Sequence, residues 1–335
     1  MEAAQKALQT FNIKGAIMSV APFGLGHIND SYLVKTHDKQ YLLQRINKQV
    51  FQSPQLIESN FQVLLSRTSN LFVRHYKTID NAFHAEVEGD FWRLSDFIAN
   101  AYAPETAHRL KEVESVALGF GILTAYMSSF CPAQFEEAIP KFHDLSWRLD
   151  QFAMAVDSDP VNRLETSRDL VEKVENFRWI LDQMNELKDR GLPLRVCHND
   201  TKLNNCLLSK SDQNFEHIID LDTLGPGFVL YDYGDLMRTV LSPTAENEVD
   251  SDKIHIQQDY LNALRRGFIQ GTGDVLSSIE IDNLEFGGLY MTFTMGVRFL
   301  TDYLNGDIYY KTSFENENFI RARNQFALLE LMHAL

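Results

Sequence analysis

The amino-acid sequence predicts an α+β protein of two lobes, with an antiparallel sheet first and a mostly helical lobe after it. Three observations carry that expectation. Up to about residue 98, short runs rich in β-branched and aromatic residues alternate with turn residues, the pattern of hairpin-linked strands. From Pro104 onward, apolar residues recur at helical spacing. Late in the chain, the stretch 194–222 sets a polar loop, HNDTKLNN at 198–205, between two short apolar runs and closes on HIIDLD. A length of 335 residues suits two lobes, and the change of pattern divides them into 1–98 and 99–335.

The first lobe opens with an amphipathic helix over 3–11. Strands are expected at 17–23, 31–36 and 41–46. The first pair is joined through the glycine turn Gly24-Leu25-Gly26 and the second through His37-Asp38-Lys39. Alternation in the third strand puts Tyr41, Leu43 and Arg45 on one face and Leu42, Gln44 and Ile46 on the other. Ser53-Pro54 opens a helix over 55–66, with Glu58 in its first turn. A hairpin over 83–94 turns at Glu88-Gly89-Asp90, and 95–100 connects the lobes. In the second lobe, 106–130 is one long helix. Another runs from Leu170 through Leu187 and stops at Gly191 and Pro193. His143 sits at a helix start and is read as structural. Gly225-Pro226-Gly227 is a rigid turn, Asp232 and Asp235 follow it, and 254–333 is helical.

Composition narrows the class. A net charge of −15 argues against nucleic acid and anionic membrane surfaces as partners. It also means that a nucleotide site must carry its own cations or metal. The cysteines, Cys131, Cys197 and Cys206, form no C-x-x-C pair, which points to a reducing compartment and buried thiols at 197 and 206. No apolar run approaches the roughly 20 residues that span a bilayer. The residues MEAAQKALQTF do not read as a signal peptide. A cytoplasmic monomer is expected.

The chemistry lies in the 194–222 stretch. Asp200, Asn205 and Asp220 come out on loops at strand ends. Phosphoryl transfer from a nucleoside triphosphate needs such a trio: a carboxylate to take the proton of the attacking hydroxyl, and an amide oxygen and a carboxylate to hold Mg²⁺ on the phosphates. Protein kinases use H-R-D-x-x-x-x-N followed by D-F-G. Here the loop is H-N-D-x-x-x-x-N followed by I-D-L-D. Lys202 is close enough to neutralise charge on the phosphate, His198 packs under the loop, and Asp222 either binds metal or caps its strand. No G-x-x-x-x-G-K-[ST] motif is present. In the tail, Arg298, Tyr309 and Tyr310 suit a sugar, with aromatic faces for C–H surfaces and a donor fork for hydroxyls. The bland alternative is an Arg298–Asp302 pair at i,i+4.

These residues resemble the aminoglycoside phosphotransferase and choline kinase group, small-molecule kinases with a bilobal protein-kinase-like fold. Within it the likeness is strongest to the N-acetylhexosamine 1-kinases. It extends over GHINDSYLV at 26–34, YLLQRIN at 41–47, HNDTKLNN, IDLDTLGPG at 219–227, YDYGDLMR at 231–238 and GVRFLTDYLNGD at 296–307. The resemblance implies ATP as co-substrate, Mg²⁺ as metal, and phosphorylation of the C1 hydroxyl of GlcNAc or GalNAc. It implies Asp200 as base with Lys202 beside it, Asn205 and Asp220 as metal ligands, and Gly24 and Gly26 over the phosphates. It implies Arg45 (or, one residue over, Gln44) as the strand cation, paired with Glu58. Phe97 and Ile98 would lie at the adenine, and His27, Asp200, Arg298 and Tyr309 at the acceptor sugar. Asp232 would brace the catalytic loop. The alternatives are a kinase of the same fold for another sugar, an amino alcohol or an aminoglycoside, and a non-catalytic kinase-like binding protein. The last predicts a lost base or metal ligand, whereas Asp200, Asn205 and Asp220 are all present.

Overall fold

Helix α1 (Glu2–Leu8) precedes three strands, β1 (Ile17–Pro22), β2 (Asp30–Thr36) and β3 (Gln40–Ile46), in a computed structural model that describes residues 2–24 and 29–335. Helix α2 (Pro54–Leu64) follows, then β4 (His75–Tyr76) and the hairpin of β5 (His84–Val87) and β6 (Asp90–Asp96). These strands form one antiparallel sheet in the order β1-β2-β3-β6-β4, with β5 also paired to β6. The hairpin turns where the sequence predicts. Glu88 and Gly89 both take left-handed φ values, 54° and 79°, as a two-residue loop between twisted strands requires.

Period-two alternation gives the sheet two different faces. Tyr41, Leu43, Trp92 and Leu94 pack on one side with Ala4, Ala7 and Leu8 of α1. On the other side Ile46 and Phe91 join Ile57, Phe61 and Leu64 of α2 in the main core. Asn60 ties α2 to the second lobe: its Nδ2 donates to the carbonyls of Glu136 and Leu224, each at 2.8 Å.

The second lobe starts with β7 (Ala101–Tyr102) and continues through α3 (Leu110–Met127), α4 (Leu145–Ser158), α5 (Arg168–Asn176) and α6 (Trp179–Asp189). Four short strands follow: β8 (Arg195–Cys197), β9 (Cys206–Ser209), β10 (Phe215–Ile218) and β11 (Gly225–Gly227). The chain ends in α7 (Val229–Val240), α8 (Gln258–Thr272), α9 (Ser278–Ile281), α10 (Leu284–Leu304) and α11 (Glu317–His333). Helix α10 is the axis of the lobe, packed by α7, α11 and α4. Cys197 and Cys206 are buried.

Two expectations are corrected. The helix expected from 170 to 187 is two helices, because Phe177 leaves the helical path to pack on Phe293 and His333, while the apolar spacing runs on across the break. Gly225-Pro226-Gly227 is not a free turn but a strand paired with β8.

Helices α7 and α10 approach closely at Gly234 and Gly287. A Cβ on Gly234 would collide with the Gly287 carbonyl and crowd Met291. Gly234→Ala is therefore expected to destabilise the fold by about 1–3 kcal/mol, the usual cost of overpacking. The chemical-denaturation midpoint measures this, and an unchanged midpoint would show that the two helices separate freely.

Candidate active site

Strand β8 runs straight into His198-Asn199-Asp200, and local hydrogen bonds set that loop. Asp232, in the first turn of α7, accepts from the backbone N–H groups of His198 at 3.0 Å and Asn199 at 2.8 Å. This is the brace expected of Asp232, and it lets Asn199 hold a left-handed φ of 63°. His198 is fully buried. The Asp200 N–H donates to its Nδ1 at 3.3 Å, so Nε2 carries the proton and donates to the Ile219 carbonyl at 3.0 Å. The imidazole thus links the catalytic loop to the I-D-L-D segment, which is not the strand the sequence suggests: β10 ends at Ile218 and residues 221–223 form a short 3-10 turn.

Asp200, Lys202, Asn205 and Asp220 are brought together. The Asn205 Nδ2 donates to the Asp200 carbonyl at 2.8 Å and to its Oδ2 at 3.0 Å. The Lys202 ammonium lies 3.2 Å from the same Oδ2. Burial alone would lift the Asp200 carboxyl, but Lys202 and these hydrogen bonds outweigh it and hold the group below its ordinary value. A carboxylate kept ionised in this way can accept a hydroxyl proton.

Asp220 takes a left-handed φ of 60° and accepts no hydrogen bond among the described residues. Withdrawal from bulk solvent, then Asp222 beside it, pushes its carboxyl up to about 6. Asn205 spends Nδ2 on Asp200, which leaves Oδ1 without a partner among the described residues. Two oxygen donors that accept no hydrogen bond among the described residues, with Arg93 Nη2 3.9 Å from Asp220 Oδ1, fit a hard divalent cation such as Mg²⁺. Among the described residues, no group of three His, Cys, Asp or Glu side chains is arranged to hold a metal alone. An ion here would fill its shell with phosphate oxygens and water, as Mg²⁺ commonly does.

Asp222 has both oxygens engaged by protein. Arg93 Nη1 donates to one and Asn29 Nδ2 to the other, the latter at 2.8 Å. Through these contacts Asp222 joins the two lobes.

Strand parity corrects the Arg45 and Glu58 expectations. Arg45 shares the outer face with Tyr41 and Leu43, where it pairs with Asp30 and Asp90. It does not meet Glu58. That carboxylate faces β5, accepts from the Phe83 N–H at 3.0 Å and meets His84 Nδ1 at 2.9 Å. The inner position of β3 is held by Gln44. Its register partner across the sheet is Arg93, whose Nε donates to Gln44 Oε1 at 3.0 Å. Arg93 was not a sequence candidate. A single arginine in FWRLSD carries no signal until the register of β3 on β6 is known.

Gly24 has a φ of 74°, which favours glycine, while Gly26 and His27 lie outside the described residues. Phe23 meets Phe97 edge-on, with ring centroids 5.0 Å apart. Phe97 and Ile98 lie between β6 and β7, the crossing from one lobe to the other. The Phe97 N–H is spent on the Gln40 carbonyl at 3.2 Å, whereas the Ile98 N–H has no partner among the described residues.

The alternative Arg298–Asp302 pair does not form. Asp302 accepts instead from the N–H groups of Ile308, Tyr309 and Tyr310 at 2.8–3.0 Å, and from Asn318 Nδ2 at 2.9 Å. It therefore shapes the loop that presents Tyr309. Arg298 is 7% exposed and has no carboxylate partner among the described residues. Its guanidinium lies 4.8 Å from the Phe142 ring centre, 5.6 Å from Tyr310 and 6.0 Å from Tyr309. Arg148 stands nearby, also without a carboxylate partner. Burial, then Arg298, lowers its guanidinium to about 10.

This cluster adjoins the catalytic loop through Phe142 and His143. The buried His143 Nε2 meets the Asn199 carbonyl at 2.7 Å and must donate to it, and burial lowers the imidazole to about 3. The structural reading of His143 agrees with that position. A cavity of about 330 Å³ has Phe142, His143, Asn199, Thr223 and Tyr231 in its walls but not Asp200, Asp220 or Arg298. Phe142 and Arg148 were missed by sequence reasoning because they lie some 150 residues before Arg298 in the chain.

Comparison with known proteins places this arrangement. Residues 19–267 match the model of the phosphotransferase enzyme family. The fold is similar to an aminoglycoside phosphotransferase from Alicyclobacillus acidocaldarius, with 12% identity, a TM-score of 0.64, and 98% of this chain and 95% of that one covered. It is equally similar to a microcompartment-associated aminopropanol kinase, with 14% identity, a TM-score of 0.64 and the same coverages, 98% and 95%. A spectinomycin phosphotransferase solved with ADP and spectinomycin matches with 10% identity, a TM-score of 0.61, and 100% and 98% coverage. The two-lobed α+β fold is that of the protein-kinase-like phosphotransferases, and the chain belongs to the phosphotransferase enzyme family.

Proposed function

We propose that this protein transfers the γ-phosphoryl group of ATP to the C1 hydroxyl of an N-acetylhexosamine, GlcNAc or GalNAc. ATP would enter between the lobes, 1–98 and 99–335, with adenine against the Phe97–Ile98 crossing and phosphates toward Asn205 and Asp220. Asp200 orients the hydroxyl. As the O1–Pγ bond forms and the bond from Pγ to the ADP oxygen breaks, the hydroxyl proton passes to the Asp200 carboxylate. A hemiacetal hydroxyl is more acidic than an ordinary alcohol, so a carboxylate without a raised pKa suffices. Lys202 keeps Asp200 ionised and offsets charge on the phosphoryl oxygens. Asn205 and Asp220 would hold Mg²⁺, which when bound neutralises phosphate charge.

The observation that carries the acceptor assignment is Arg298, buried among Phe142, Tyr309 and Tyr310 with no carboxylate beside it. With Arg148 close by, that pocket repels a cation. It is unsuited to an amino alcohol or an aminoglycoside, and it suits a neutral ring with hydroxyl and amide oxygens. The test is ADP release against N-acetylhexosamines, amino alcohols and aminoglycosides, with phosphorus NMR of the product to identify the phosphorylated position. Turnover of the amines and none of the N-acetylhexosamines would reject the assignment.

Arg298→Ala is expected to raise the sugar KM tenfold or more and leave the ATP KM within about threefold, since a lost charged hydrogen bond costs about 1.5–3 kcal/mol. Arg298→Lys restores little, because a point charge does not reproduce the fork. Asp302 keeps its partners in either variant, so a fall in melting temperature with both KM values unchanged would remove Arg298 from the site.

A further inference from the structure

Protein kinases hold the nucleotide phosphates with a lysine on the third strand. Here that inner position is Gln44, and Arg45 points to the opposite face. A cation does stand at the cleft, one strand over. Arg93 on β6 is the register partner of Gln44 and is 6% exposed. Its three nitrogens have separate tasks. Nε donates to Gln44 at 3.0 Å and Nη1 to Asp222. Nη2 forms a longer ion pair with Asp220 Oδ1 at 3.9 Å and donates no hydrogen bond among the described residues.

We propose that Arg93 is the phosphate-binding cation of this protein, moved from β3 to β6. This rests on the reading of the cleft as the ATP site. Gln44 and Asp222 grip the guanidinium at two corners and fix its plane, so the third corner is presented beside the carboxylate assigned to the metal. Such a fork can bond two phosphate oxygens at once. The charge balance also calls for it. Among the described residues, the ion-pair partners of Asp200, Asp220 and Asp222 are Lys202 and Arg93, so without Arg93 a polyanionic nucleotide would meet these three carboxylates with one ammonium between them. An ion pair that merely tied the lobes together would need neither the Gln44 contact nor an Nη2 that donates no hydrogen bond among the described residues. Asn29, just before β2, joins the same network through Asp222, so the start of β2, the cation and the I-D-L-D segment are linked.

The experiment measures the affinities of adenosine and ADP for wild type, Arg93→Gln, Arg93→Lys and the swap Gln44→Lys/Arg93→Gln, together with melting temperatures and the KM for ATP. Adenosine reports the base pocket, and the ratio of ADP to adenosine affinity reports the phosphate contacts. Arg93→Gln is expected to keep adenosine binding and to lose about tenfold or more in ADP affinity, with a matching rise in the ATP KM. The swap returns a cation to the protein-kinase position and should recover most of that loss. If Arg93→Gln does not fold because Asp222 is left unpaired, Arg93→Lys keeps the charge and loses the fork, and a reduced ratio is again expected. A folded variant with the wild-type ratio overturns the assignment. Wild-type protein that binds ADP no better than adenosine overturns the nucleotide-site reading itself, before any variant is compared.

Discussion

Asp200→Asn lowers kcat by roughly two to four orders of magnitude, the range for loss of a general base, and leaves nucleotide binding intact. The physical case is local. Asn205 can still donate to the amide oxygen that replaces Oδ2, so the loop keeps its shape. Lys202 loses its ion-pair partner but stays near Asp220, whose charge also favours the ammonium. Removing one negative charge from a cleft that receives a polyanion does not weaken ADP, and a modest gain in affinity is expected. Turnover, ADP affinity and melting temperature are measured together. A folded Asp200→Asn variant with near wild-type turnover would show that the proton leaves by another route.

Asp220→Ala removes the effect of metal on nucleotide binding. In wild type, Mg²⁺ should tighten ADP; in the variant, ADP affinity should be the same with and without the ion. Turnover falls about a thousandfold or more, as expected if metal-borne charge stabilisation of about 4 kcal/mol is lost. The fold should be little affected. Asp220 accepts no hydrogen bond among the described residues, so its truncation orphans no donor. A melting temperature close to wild type is part of the expectation. Metal-dependent ADP binding that survives the substitution would exclude Asp220 as a ligand.

These two substitutions concern the part of the site that was most legible in the sequence. Asp200, Lys202 and Asn205 lie within six residues, and their hydrogen bonds close inside the loop. Spacing alone therefore brings them together. The strand faces were legible for the same reason: alternation put Arg45 with Tyr41 and Leu43 and Gln44 opposite, whatever the sheet did next. The two-lobed order was likewise written in the change from period two to helical spacing near residue 100.

What needed the tertiary structure is every pairing that crosses the chain. Arg93 and Asp222 are 129 residues apart, and nothing in FWRLSD or IDLD announces that they meet. The register of β3 on β6 decides it by setting Gln44 opposite Arg93. The break at Phe177 was invisible because its cause, Phe293 and His333, lies more than a hundred residues on, while the local pattern stays helical across it. The i,i+4 spacing of Arg298 and Asp302 suggested an ion pair. Instead the 308–310 backbone turns back onto Asp302 and takes its oxygens, and three backbone donors outcompete one guanidinium. That leaves Arg298 against the rings of Phe142, Tyr309 and Tyr310. Sequence by itself determined the chemistry, because the reacting groups sit on one short loop. Tertiary structure decided which partners the buried cations meet, because a buried charge takes the partner that the packed strands and helices leave open, and that partner comes from distant sequence.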